Sequence, residues 1–191
     1  HLNPRRYRFL LQSVARGNSL CRYDILFAFP QKEIILNYEN INDKKNNFLK
    51  TFDREWKKEK YNFKENNFPF YGGWFVYLGY ELISQIEKKI YPNNHRYNFP
   101  VAFATRIPIA IIKDNFNKET FIFCEKKYRR FLNIVERDIK KIKEKNLSIG
   151  KKVGKKILLN SLKEELPTQH IKNIKKILEY IKAGDVFQVN L

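Results

Sequence analysis

Residues 69–87, PFYGGWFVYLGYELISQIE, set two adjacent glycines, Gly72 and Gly73, ahead of a run of aromatic and large apolar side chains, then add Gly79 and the carboxylate of Glu81. A glycine inside a strand gives up side-chain packing and costs backbone entropy. A pair of them at the mouth of an apolar run therefore marks a bulge or a close approach of another segment. The run itself is apolar enough to lie inside a sheet.

Working outward, YRFLL (7–11) and YDILFAF (23–29) are aromatic and β-favouring, with the turn-prone RGNS between them, and read as two strands. EIILNY (33–38) reads as a third strand, followed by the polar loop ENINDKKNN. Phe48, Phe52 and Trp56 recur at four-residue steps, which predicts a helix over 47–60 with its lysines on the polar side. Two β-rich runs flank DNFNKE and predict a hairpin, and Phe131, Val135, Ile139 and Ile142 predict an amphipathic helix over 128–145. NLSIGKKVGKKILLNSLKEEL lacks the GxxxxGK[ST] spacing of a phosphate-cradling loop and reads as a linker. In the last stretch Thr168 is the expected N-cap, Ile171, Ile174, Leu178 and Ile181 form one apolar stripe, and Gly184 supplies the stop. A strand is expected over 186–191, with Gln188 and Asn190 on one face.

The composition narrows the function classes. With 191 residues, 43% apolar and 15% aromatic, the chain has the material for a buried core. It carries 38 Lys and Arg against 20 Asp and Glu, a formal charge of +18. The lysines come as scattered pairs without aromatic interleaving or an RNA-reading motif, so no nucleic-acid partner is expected. Cys21 and Cys124 stand far apart and His1, His95 and His170 are isolated, so neither a disulfide framework nor a His-centred metal site is indicated. A reducing, cytoplasmic setting fits. No stretch reaches the roughly 18 uncharged apolar residues of a membrane span, since VAFATRIPIAII is broken by Arg106 and Pro108, and no membrane partner is expected. The absence of methionine and the start at His1 suggest a piece of a longer protein.

At YIKAGDVFQVNL (180–191) the residues cease to be generic. This segment resembles the helix-to-strand element of the chorismate-utilising enzymes, the anthranilate synthase component I family, and PFYGGWFVYLGYEL and CRYDILFAFP resemble two further elements of that family. Four islands, near 7–30, 69–87, 99–125 and 167–191, match in order. Arg22-Tyr23-Asp24 and Gln188-Val189-Asn190 are more similar to the para-aminobenzoate branch, the aminodeoxychorismate synthase component I enzymes, than to the anthranilate synthases, which have serine and valine at the third positions.

The resemblance implies an α+β fold of packed antiparallel β-sheets with outer helices, represented by its N-terminal portion. It divides the chain into an N-terminal region (1–150), a linker (151–166) and the start of a chorismate-binding catalytic domain (167–191). It implies conversion of chorismate, with Mg²⁺ and ammonia from a glutamine amidotransferase subunit, to 4-amino-4-deoxychorismate for para-aminobenzoate and folate synthesis. The alternatives are anthranilate synthesis and a non-catalytic amino-acid-binding module. The family's catalytic groups and metal ligands belong to the later part of its chain, so none is assigned here. A tryptophan-type pocket of the family matches Ser13, Leu20, Cys21, Arg22 and Tyr23, the family showing serine where Cys21 stands. Chemically, a hydroxyl and a guanidinium suit an amino acid's polar end and an aromatic suits its ring; the plainer role for Ser13 and Arg22 is to satisfy strand ends or to pair with Asp24. By the same resemblance the glycine pair begins a strand at the centre of the fold, with Trp74, Phe75 and Tyr77 between the sheets and Glu81 as a helix-start carboxylate.

Overall fold

The structure is a computed structural model that describes residues 3–13, 21–43, 46–60, 67–87, 89–90, 99–146, 161 and 163–191. It divides into two compact units, His1–Leu147 and Ser148–Leu191. In the first, β1 (Phe9–Leu11), β2 (Tyr23–Ala28), β6 (Ile109–Asp114) and β7 (Glu119–Cys124) form one antiparallel sheet in the order β1-β2-β6-β7. β3 (Glu33–Leu36), β5 (Ala102–Ile107) and β4 (Gly73–Leu78) form a second, in the order β3-β5-β4. The helices of this unit are α1 (Phe48–Glu59), the short α2 (Ile83–Ile86) and α3 (Leu132–Asn146).

Strand alternation explains the layering. On β2, Ile25 and Phe27 face the second sheet while Ala28 turns outward, and β6 does the same with Ala110 and Ile112 against Ile109. The space between the sheets is filled by rings: Phe9 stacks on Phe75 at 4.1 Å, Phe27 meets Phe70 and Phe75 edge-on at 5.0 and 5.4 Å, and Phe68 lies 4.7 and 4.8 Å from Phe121 and Phe123. Offset and edge-on contacts of this kind add about 1 kcal/mol each beyond the burial of area. On the outer face of the first sheet α3 packs Val135 against Ala28 and Ile109, and Phe131 stacks on Phe29 at 4.5 Å. On the outer face of the second, α1 packs Phe48 and Phe52 over Leu36, Ala102 and Ala104.

Most of the expected elements form. Asn47 caps α1, its side-chain oxygen accepting the Lys50 amide at 2.8 Å. The hairpin is β6–β7. The run from Val101 to Ile112 is two strands in different sheets, however, divided at Pro108, which has no amide hydrogen to offer a ladder. β1 begins at Phe9 rather than Tyr7, and the turn before α3 is a 3-10 helix, so α3 starts at Leu132.

Four expectations need correction. β4 is an edge strand here, not a central one: among the described residues only β5 pairs with it, and Val76, Tyr77 and Leu78 are exposed. Trp74 does not lie between the sheets; alternation sends it with Arg106 to the other side, where it meets Phe52 edge-on at 5.6 Å, while Phe75 takes the inter-sheet position. In the second unit, α4 (Pro167–Ala183) takes Leu166 as its N-cap and Pro167 as its first residue, not Thr168 as the cap. Gly184 does end α4, at φ 80°, with its amide on Ile181 and that of Asp185 on Tyr180. No strand follows over 186–191, because a strand exists through its ladder and no described residue of this unit offers one; Phe187 is 99% exposed. The proposed linker residues 151–160 and 162 lie outside the described residues.

Candidate functional site

The expected pocket residues sit where β1 ends and β2 begins. The antiparallel register ends with Leu11 opposite Ile25, so Ser13 and Tyr23 each lie two residues beyond its last pair. Ser13, Cys21, Arg22 and Tyr23 are half-buried, Cys21 as a free thiol, and Leu20 lies outside the described residues. Arg22 does not pair with Asp24. Its Nε and Nη2 both donate to one oxygen of Asp114, at 3.0 and 2.7 Å, and its guanidinium lies 4.9 Å from the Tyr23 ring centre. Asp114 is 1% exposed, ends β6, and also accepts the backbone amides of Phe116 and Asn117. The Arg22 hydrogen bond, helped by those two amides and opposed by desolvation, holds the Asp114 carboxyl down at about 2. Arg22 is thus first a clamp between the start of β2 and the β6–β7 turn. Asp24 keeps one buried oxygen with no partner among the described residues.

A second constellation went unread in the sequence. Arg106, next to last in β5 and 5% exposed, faces α1. It donates to the carbonyls of Gly73 and Ile107 at 2.9 and 3.0 Å and pairs with Glu125 at 2.6 Å and Glu59 at 3.5 Å. Lys127 bonds Glu59 at 3.1 Å, and that bond, with Arg106 beyond it, lowers the Glu59 carboxyl below its usual range despite burial. Gly72 is part of the same arrangement: a side chain there would put its Cβ 2.4 Å from a Glu125 oxygen, and its φ of 137° disfavours any other residue. The signal was a lone arginine inside the apolar run VAFATRIPIAII, since a buried guanidinium has to be given partners. Above these groups opens a cleft of about 680 Å³ walled by Trp56, Trp74, Tyr71 and Phe123.

Two antiparallel sheets stacked face to face, with helices on their outer faces, make this an α+β protein of the anthranilate synthase component I type. The chain belongs to the chorismate binding enzyme family, whose model matches residues 7–191. It is 29% identical over 128 residues to an anthranilate synthase component I-like protein of Synechocystis sp., covering 64% of this chain and 24% of that one. It is 25% identical over a 209-residue alignment to anthranilate synthase component 1 of Aquifex aeolicus, covering 97% and 41%. The solved anthranilate synthase component I of Streptococcus pneumoniae shares the fold at a TM-score of 0.51 and 18% identity, over 91% of this chain and 41% of that one. The chain therefore spans well under half the length of these relatives.

Among the described residues no three His, Cys, Asp or Glu side chains converge as metal ligands. Nor is any described helix long and apolar enough to cross a membrane.

Proposed function

We propose that this chain is the N-terminal part of an aminodeoxychorismate synthase component I, which replaces the 4-hydroxyl of chorismate with ammonia delivered by a glutamine amidotransferase subunit. The observation that carries the reading is the opening of β2, Arg22-Tyr23-Asp24, in which a carboxylate stands where the anthranilate branch has serine. Gln188-Val189-Asn190 supports it. The part played by Arg22, Tyr23 and Asp24 is structural: they belong to the sandwich, at the β1–β2 corner. Mg²⁺ would neutralise the substrate's carboxylates. A second reading, anthranilate synthase component I, is favoured by the relative from Aquifex aeolicus, which aligns with 97% of the chain. The discriminating experiment supplies the full-length protein with chorismate, Mg²⁺ and ammonium and identifies the product by chromatography, with and without an added lyase. Aminodeoxychorismate, converted by the lyase to para-aminobenzoate, is the expected product; anthranilate would overturn the assignment.

The β1–β2 corner is further proposed as a tryptophan-type pocket, with the Ser13 hydroxyl toward the ligand's polar end and Tyr23 against its ring. Because Arg22 is committed to Asp114 through Nε and Nη2, its contribution to the ligand is confined to its other edge. Calorimetry of the full-length protein with tryptophan should show saturable heat that falls about tenfold in affinity on Ser13→Ala. No heat, or heat indifferent to both Ser13→Ala and Arg22→Ala, would remove the pocket.

A further inference from the structure

The cleft above Arg106 is separate from the β1–β2 corner and has its own chemistry. Its walls are aromatic, and they include Trp56 and Trp74, the chain's two tryptophans. Gly72 and Gly73 lie in its lining, and at Gly72 a side chain would run into Glu125, which lines it as well. The charges do not balance. Glu125 is engaged by Arg106, and Glu59 by both Arg106 and Lys127, so the carboxylates are used up within the wall. Lys58 is paired with Glu55 at 3.0 Å. Lys60 and Lys126 remain at the rim in excess, Lys60 over the Trp56 ring at 5.3 Å and Lys126 with no ion pair among the described residues.

We infer that this cleft is a binding site for a small planar ring bearing an acidic group, a carboxylate or a phosphate. An aromatic slot holds the flat face by stacking, and surplus ammonium groups at its mouth hold the anion. The buried Arg106 is not the anion's partner. Neutralised by Glu125 and Glu59 and hydrogen-bonded through its terminal nitrogens, with its buried Nε left without a partner among the described residues, it is a positioning residue that holds the Gly73 backbone and the Glu125 side chain. The volume lies within the range of about 300–1,000 Å³ usual for small-molecule sites.

The test is a titration of the full-length protein with benzoate and with adenosine monophosphate, followed by calorimetry and by tryptophan fluorescence. At least one probe should bind with a Kd at or below about 1 mM and quench emission, and the quenching should be lost in Trp56→Phe or Trp74→Phe while the heat persists. Which probe binds decides between a carboxylate and a phosphate ligand. The exposed rim variants Lys60→Glu and Lys126→Glu, which leave the core contacts intact, should each weaken binding about tenfold. The inference is overturned if neither probe gives saturable binding, if the rim variants bind as the parent does, or if inorganic phosphate and acetate bind as tightly as the ring compounds.

Discussion

Gly72→Val is expected to cost about 3–5 kcal/mol and to leave little folded protein at 37 °C. Two effects add. At φ 137° a β-branched residue is strained by about 1–3 kcal/mol, and its Cβ would stand 2.4 Å from the Glu125 oxygen. Relief of that overlap requires Glu125 to swing away, which removes the nearest counter-ion of Arg106. Two other glycines grade the argument. Gly73→Ala, with φ 153° and a ring carbon of Phe70 at 3.4 Å, should lose less, and Gly184→Ala, with φ 80° and open space, should lose only the backbone strain of about 1 kcal/mol. Urea midpoints for the three variants measure the order directly. A Gly72→Val protein as stable as Gly184→Ala would place Glu125 somewhere other than against the glycine pair.

The second large effect follows from the same charge. Glu125→Ala should destabilise by about 2–3 kcal/mol, somewhat below the usual penalty for breaking a buried pair. The reduction has a cause: the Glu125 side chain is 20% exposed, and Arg106 keeps Glu59 and the carbonyls of Gly73 and Ile107. Removing the guanidinium as well, in Glu125→Ala with Arg106→Met, should recover at least half of the loss, because the buried charge that lacked a partner is gone. If the double variant is instead as unstable as the sum of the single ones, the arginine contributes through packing and backbone bonds rather than through its ion pair.

Legibility in the sequence followed the range of the interactions involved. α1, α3 and α4 were readable because their stripes and stops are local, as with Phe48 and Phe52 or the turn at Gly184. The β6–β7 hairpin was readable because its turn is. What alternation alone settles was also available and was missed for Trp74, which parity separates from Phe75. The pairing of Arg22 was not available, because Asp114 lies 92 residues away and nothing local distinguishes it from the neighbouring Asp24. The cleft was hidden for the same reason: α1, β4, β5 and the end of β7 each contribute to it, and only the completed sandwich gathers them.

Pro108 has a mechanical consequence. β5 is the inner strand of one sheet and β6 an inner strand of the other, and this one residue is all that joins them. Neither sheet can slide in register without dragging the other through so short a hinge, and a length polymorphism at this point would uncouple them. Fluctuations that expose the amides of β5 therefore expose those of β6 as well, and the sandwich opens as one cooperative block rather than peeling sheet from sheet.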